Sequence, residues 1–154
     1  MINSNYTQQK DLGLFGARWG CYFTVFLNII ETEIGRKLLK DEVSILSWEA
    51  LLDGCVLFAN YKDHERLYDP YPGWSERADP EWHYYVLDPE RLLKLFEKKM
   101  KISVSKNVYE IVTYHTGTYP DGKKMKHFTL KISGEKEVNP DPKITGKFAS
   151  SLRV

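Results

Sequence analysis

The chain has 154 residues, 42% hydrophobic and 28% charged, with 22 basic against 21 acidic side chains and a formal net charge of +1. That length suits one domain, 1–154, able to bury a core without disulfide or metal staples. Near-neutral charge argues against a nucleic-acid binder or a polybasic membrane-surface protein, so Lys98-Lys99-Met100-Lys101 and Lys123-Lys124 read as solvated surface.

Residues 1–16 are polar and Gly-containing and read as an arm, with no apolar signal core. From Cys21 to about Gly35 the apolar residues Tyr22, Phe23, Val25, Phe26, Leu27, Ile29, Ile30 and Ile34 surround nearly the whole circumference of a helix. Such a helix is buried on most sides, and Gly35 is a natural stop. The stretch Trp19–Ile30 falls short of the ~20 apolar residues that span a bilayer. A second helix is expected from Ser47, as N-cap, to about Phe58, with Leu51, Leu52, Cys55 and Val56 at helical spacing. Residues 59–87 hold many Tyr and Trp among Pro70, Pro72 and Pro80, and read as an irregular aromatic excursion. Asp88-Pro89-Glu90 opens a third helix through cap, proline and acid, and Leu92, Leu93 and Phe96 are its buried stripe to about Met100.

Beyond Met100 the period changes to two. Val108–Tyr114 and Met125–Ile132 are strands, Thr116–Gly122 and Ser133-Gly134-Glu135 are turns, Lys136–Val138 is a return strand, and Phe148–Val154 is a last edge strand. Helices first and an antiparallel sheet last make an α+β domain. No repeat or low-complexity tract is present.

The chemistry-bearing residues are few. Cys21 and Cys55 do not make a disulfide scaffold and are expected as free thiols in a reducing, cytoplasmic setting. Cys21 stands at the head of the apolar helix after Gly20, where exposed N–H groups favour a thiolate. His127, in Lys126-His127-Phe128, would supply an imidazole, and Asp141, in Asn139-Pro140-Asp141-Pro142, would orient it. If Ser133-Gly134-Glu135 is a three-residue loop, residue 127 lies opposite 141; a two-residue loop puts it opposite 140. Either register leaves Asp141 within ~5–8 Å of His127 between β-carbons. Each residue also has a plain structural role: a small core side chain, a strand histidine, a turn former.

His64 and His83 with Asp63, Glu65, Asp69 and Asp79 match no zinc spacing, so no metal and no cofactor are expected. Gly13-Leu14-Phe15-Gly16 lacks the spacing and the Lys-Ser/Thr of a P-loop, and Glu49 with Asp53 gives no glycosidase pair. Trp74, Trp82, Tyr84 and Tyr85 would wall a groove for a peptide or sugar, or simply cover the core.

In the order Cys21, His127-Phe128, Asp141-Pro142 the chain resembles the papain-like cysteine peptidase superfamily, closest in outline to its bacteriocin-processing, double-glycine branch. It is also similar to small uncharacterised phage- and plasmid-encoded proteins that share a Gly-Cys-Tyr-Phe helix start, a His-Phe strand, an Asp-Pro and a Ser-x-Arg tail, here Ser151-Leu152-Arg153. The resemblance runs through residues 9–154 in order, with no match over 36–115. It implies a papain-like fold, with the N-terminal buried helix and further helices packed on the C-terminal sheet. It also implies a cysteine peptidase or amidase in which Cys21 is nucleophile, His127 base and then acid, and Asp141 orienter. The peptidase branch carries a Gln ahead of the Cys as oxyanion donor; that position is Phe15 here, leaving Gln8 or Gln9 farther upstream, of which Gln9 is the candidate, or else the backbone N–H of Cys21. The loss favours a second expectation, a non-catalytic phage or plasmid factor on the same scaffold that captures a host protein in the host cytoplasm. A third is a structural fold with an inert Cys21. The expected partner is a peptide or protein, with neither nucleic acid nor membrane, and with the oligomeric state left open.

Overall fold

Helix α1 (Cys21–Ile34) organises the structure, a computed structural model that describes residues 6–12, 20–60, 82–118, 124–135, 137–144 and 146–154. Every residue from Phe23 to Glu31 is buried, the polar Thr24, Asn28 and Glu31 along with the apolar side chains that cover most of the circumference. Each fully buried Phe, Leu or Ile stabilises the fold by about 1.5–3 kcal/mol. Gly35 closes the helix at φ 72°, a left-handed position open to glycine at no steric cost, and its N–H bonds the Glu31 carbonyl.

Helix α2 (Lys40–Asp53) corrects the expected Ser47–Phe58. Its start is fixed by Glu42, whose carboxylate accepts from the Leu39 amide at 2.8 Å and from Arg36 at 2.7 and 3.0 Å. Ser47 lies inside the helix and donates back to the Val43 carbonyl at 2.7 Å. Gly54 ends it at φ 85°. Val43, Leu46 and Ala50 face the core, while Ile45, Trp48 and Leu52 are exposed. A helix apolar on two faces carries no clear period, which hid its first half.

The chain then forms strand β1 (Val56–Asn60), antiparallel to β2 (Trp82–Val86), with Val56 opposite Val86 and Asn60 opposite Trp82. The two ends of the expected excursion are therefore strand, as their β-branched and aromatic residues allow. Helix α3 (Pro89–Met100) begins where the sequence places it: the Asp88 carboxylate accepts from the Arg91 amide at 3.0 Å, and Leu92 and Phe96 are buried. Phe96 meets Phe23 of α1 edge to face at 5.7 Å.

Strands β3 (Tyr109–Thr118), β4 (Lys124–Ile132) and β5 (Lys147–Arg153) form an antiparallel sheet in the order β4-β3-β5. Past Ile132 the chain returns as a strap, residues 137–141, along the free edge of β4. Only Val138 pairs there, exchanging hydrogen bonds of 2.9 and 2.7 Å with Leu130. Opposition of 130 and 138 is the register of the three-residue loop. Phe128, Leu130 and Ile132 face α1 and the core, whereas His127 and Thr129 point to the other face, under the strap. The described residues thus contain three α-helices and two antiparallel sheets, an α+β composition. Among them, no helix is long and apolar enough to cross a membrane.

Candidate active site

Alternation along β4 decides which backbone groups meet Cys21. The Leu130 N–H and C=O point to the strap side, so by the two-residue period those of Phe128 and Lys126 do too. The Cys21 sulfur is there: it lies 4.0 Å from the Lys126 carbonyl oxygen, and the Phe128 amide faces it. The first turn of α1 therefore abuts the peptide units on either side of His127. Tyr22 anchors that turn, its ring 4.1 Å from Phe128 and 5.3 Å from Phe26 between centroids.

His127 is 2% exposed. Its Nε2 is 2.7 Å from Asn139 Oδ1, and the same oxygen accepts from the Asp141 amide at 3.0 Å. A backbone N–H can only donate, so the atom it meets is the carboxamide oxygen, not the nitrogen. The ring nitrogen facing that oxygen must then carry the proton. With Nε2 protonated in the neutral ring, Nδ1 holds the lone pair, and Nδ1 is buried with no hydrogen-bond partner. An orphaned basic nitrogen, on a residue whose flanking peptide units meet the thiol-bearing helix end, is the chemically distinctive feature of the site.

Burial pushes the Cys21 thiol up to about 11, against the amides of Phe128, Tyr22 and Cys21, which favour the anion; the Asp141 charge adds to the rise. Burial likewise holds the His127 imidazole below its ordinary 6.5, opposed by the Asn139 hydrogen bond and by the charges of Asp141 and Glu137. At neutral pH the pair rests as thiol and neutral imidazole. The helix N-terminus does act on the sulfur as expected, but desolvation outweighs it.

The expected orienter, Asp141, is not the residue bonded to the ring. Its Oδ1 accepts from the Lys143 amide at 3.1 Å and its carbonyl from Ile144, which makes it the head of a turn acting on the pair through charge. Asn139 takes the place at the ring. Its signal was available in the run Asn139-Pro140-Asp141, since a carboxamide holds an imidazole proton as well as a carboxylate does. The backbone of Gln9 is placed by its neighbours. Thr7 binds Glu31, Asp11 pairs with Lys37 at 3.4 Å, and the 3-10 turn Gln9–Leu12 between them sits at the C-terminal end of α1. Glu31 is about 15 Å along the helix from Cys21, at 1.5 Å per residue. Gln9 therefore has its backbone at the end of α1 away from the thiol. Its side chain, those of Trp82, His83 and Tyr84, and residues Phe15, Asp63, His64, Glu65, Asp69, Trp74 and Asp79 lie outside the description. The backbones of Trp82 and Tyr84 are in β2.

Beyond the Tyr22–Phe128 pair, a cleft of about 510 Å³ opens between α1, α3 and the β5 side of the sheet, walled by Tyr22, Phe26, Leu93, Ile111 and Leu152. Among the described residues, no cluster of His, Cys, Asp or Glu is arranged to hold a metal ion. Comparison with known protein families, curated proteins and solved structures finds no match.

Proposed function

We propose that the protein is a cysteine peptidase or amidase-like hydrolase on a papain-like scaffold, with Cys21 as nucleophile, His127 as base and Asn139 as orienter. The observation that carries this is the buried, unpartnered Nδ1 of a ring whose Nε2 is held by Asn139. From the neutral resting pair, Nδ1 removes the Cys21 proton as sulfur attacks the amide carbonyl. The amides of Cys21 and Tyr22, which act on the sulfur at the head of α1, are the backbone donors nearest the attacked carbonyl and would meet its developing negative charge. Nδ1–H then protonates the departing amine, and a thioester remains on Cys21. Water, deprotonated by the same Nδ1, attacks the thioester and releases acid and thiol. Asn139 keeps the tautomer fixed in both halves. No cofactor enters this route. The substrate is a peptide or another amide, read by the aromatic residues Trp74, Trp82 and Tyr84 or by the cleft beside Tyr22.

The test is labelling of the native chain by a peptide-aldehyde or haloacetamide probe, with mass spectrometry of each cysteine. Cys21 labels faster than Cys55, and His127→Ala slows Cys21 by on the order of 10²–10⁴, the usual contribution of a general base. A second reading, a non-catalytic phage- or plasmid-encoded binding protein on the same scaffold, is favoured by the thiol's rise to about 11. It stands if Cys21 labels no faster than Cys55 and His127→Ala changes nothing.

A further inference from the structure

Asn139 can hold the imidazole only if the strap that carries it is fixed over the sheet. One backbone bridge, Leu130 with Val138, fixes its height along β4 but not its tilt across the outer face. The side chain two residues before Asn139 supplies that second anchor. Glu137 Oε1 accepts from the Tyr114 hydroxyl at 2.7 Å and from the Thr129 hydroxyl. Both donors are immediate neighbours of His127. Tyr114 stands directly opposite it on β3, and Thr129 is two residues along β4 on the same face. Residues 127, 129, 137 and 139 share that face by register, so the carboxylate, the carboxamide and the ring lie in one row.

We propose that Glu137 is a positioning residue for the His127–Asn139 pair, clamping the strap to β3 and β4 through Tyr114 and Thr129. This rests on the reading of His127 as the base, and it adds a residue that touches neither substrate nor thiol. Two consequences are separable. The hydrogen bonds of Glu137 hold Asn139 in place, and its negative charge favours the imidazolium that forms when His127 takes the thiol proton. The other ionisable groups placed at the ring are Asp141 from the strap, whose charge acts on it, and Tyr114, directly opposite on β3.

The two consequences are read by nitrogen-15 NMR of the His127 ring in the full chain, comparing Glu137→Gln, Glu137→Ala and Asn139→Ala with the parent. In the parent the Nε2 proton is slow to exchange and Nδ1 is unprotonated at neutral pH. Glu137→Gln keeps the slow proton, because an amide oxygen still accepts from both hydroxyls, but lowers the pH at which the ring titrates. Glu137→Ala speeds Nε2–H exchange by about tenfold, the equivalent of one lost hydrogen bond, and Asn139→Ala by at least as much. If Glu137→Ala does not fold, the double variant Tyr114→Phe with Thr129→Val removes both donors and gives the same acceleration. The proposal is overturned if these variants keep parental exchange and parental titration while Asn139→Ala loses the proton. A residue that merely stabilised the hairpin would lower the melting temperature and leave the ring signals of the folded state unmoved. Labelling of Cys21 is not part of this readout, so failure of the hydrolase reading and failure of the clamp give different results.

Discussion

Helix α1 carries a buried polar cluster toward each end, and the two are satisfied differently. At the C-terminal end the Glu31 carboxylate, 2% exposed, accepts from four donors: the Thr7 amide and hydroxyl, the Asn28 carboxamide and the Leu38 amide. These bonds tie the N-terminal arm and the start of α2 to the central helix. One acceptor there, Asn28 Oδ1, has no partner, but an orphan carboxamide oxygen is only an unmet hydrogen bond. At the N-terminal end the orphan is an imidazole nitrogen, which is a base. Burial thus fastens chain segments at one end and leaves an unpaired imidazole nitrogen at the other, on the residue whose peptide units meet the Cys21 thiol. Saturation fits a structural role, whereas a buried, unpaired base is a candidate for chemistry.

The largest effect that would sharpen this contrast is on stability at the Glu31 end. Glu31→Ala strands four buried donors and is expected to cost about 4 kcal/mol, at 1–3 kcal/mol for each unsatisfied group with partial relief by water. Urea unfolding measures it, and Cys21 labelling of the folded fraction should not change. A loss below about 1 kcal/mol would mean that the cluster is not the fastening it is taken for.

At the other end the smaller change is in rate. On the proposed hydrolase reading, Asn139→Ala removes a hydrogen bond to a ring that becomes charged as it takes the thiol proton, equivalent to about 1.5–3 kcal/mol, so probe labelling of Cys21 should fall roughly 10- to 100-fold. Asp141→Asn should do less, because the Asp141 carboxylate acts at a distance and also opposes ionisation of the thiol. The reverse ranking would return the orienting role to Asp141 and break the comparison.

How far the sequence leads to this site follows from where its signals are local. The all-round apolar pattern of α1 and the Asp88-Pro89 cap of α3 announce elements that form where expected. The Ser133-Gly134-Glu135 loop fixes the register that brings the strap beside His127. The start of α2 is not legible, because its Leu39–Glu42–Arg36 arrangement uses no Ser or Asp cap and its apolar residues lie on two faces. Strands β1 and β2 are hidden because each is short and the prolines between them dominate the local reading. Asp141 is the residue opposite His127 by count. The strap pairs with β4 only at Val138, however, so the ring is met from the diagonal position, by Asn139. A register gives neighbours; which neighbour turns its side chain to the ring depends on where the pairing stops. The distance from Gln9 to Cys21 is likewise invisible until Glu31 is seen holding the arm.

The smallest expected effect is a pH dependence of stability confined to the His127 end. Because burial lowers the folded ring's pKa from 6.5, the unfolded chain binds a proton that the folded chain refuses once pH drops below about 6.5. Stability therefore falls as pH falls through that window, and this contribution levels off only below the folded pKa. Glu33 and Glu42 are shifted in the acid direction from 4.5, so the stability they contribute is present above that value and is lost at lower pH, in a separate window. Urea unfolding at pH 7.5, 6.5 and 5.5 should show a decline in the parent that is shallower in His127→Gln. Equal slopes would mean that the folded ring takes up its proton as readily as the unfolded one. A ring that charges so easily would not rest neutral beside the thiol, and the base at this end of α1 would then differ little from an ordinary surface histidine.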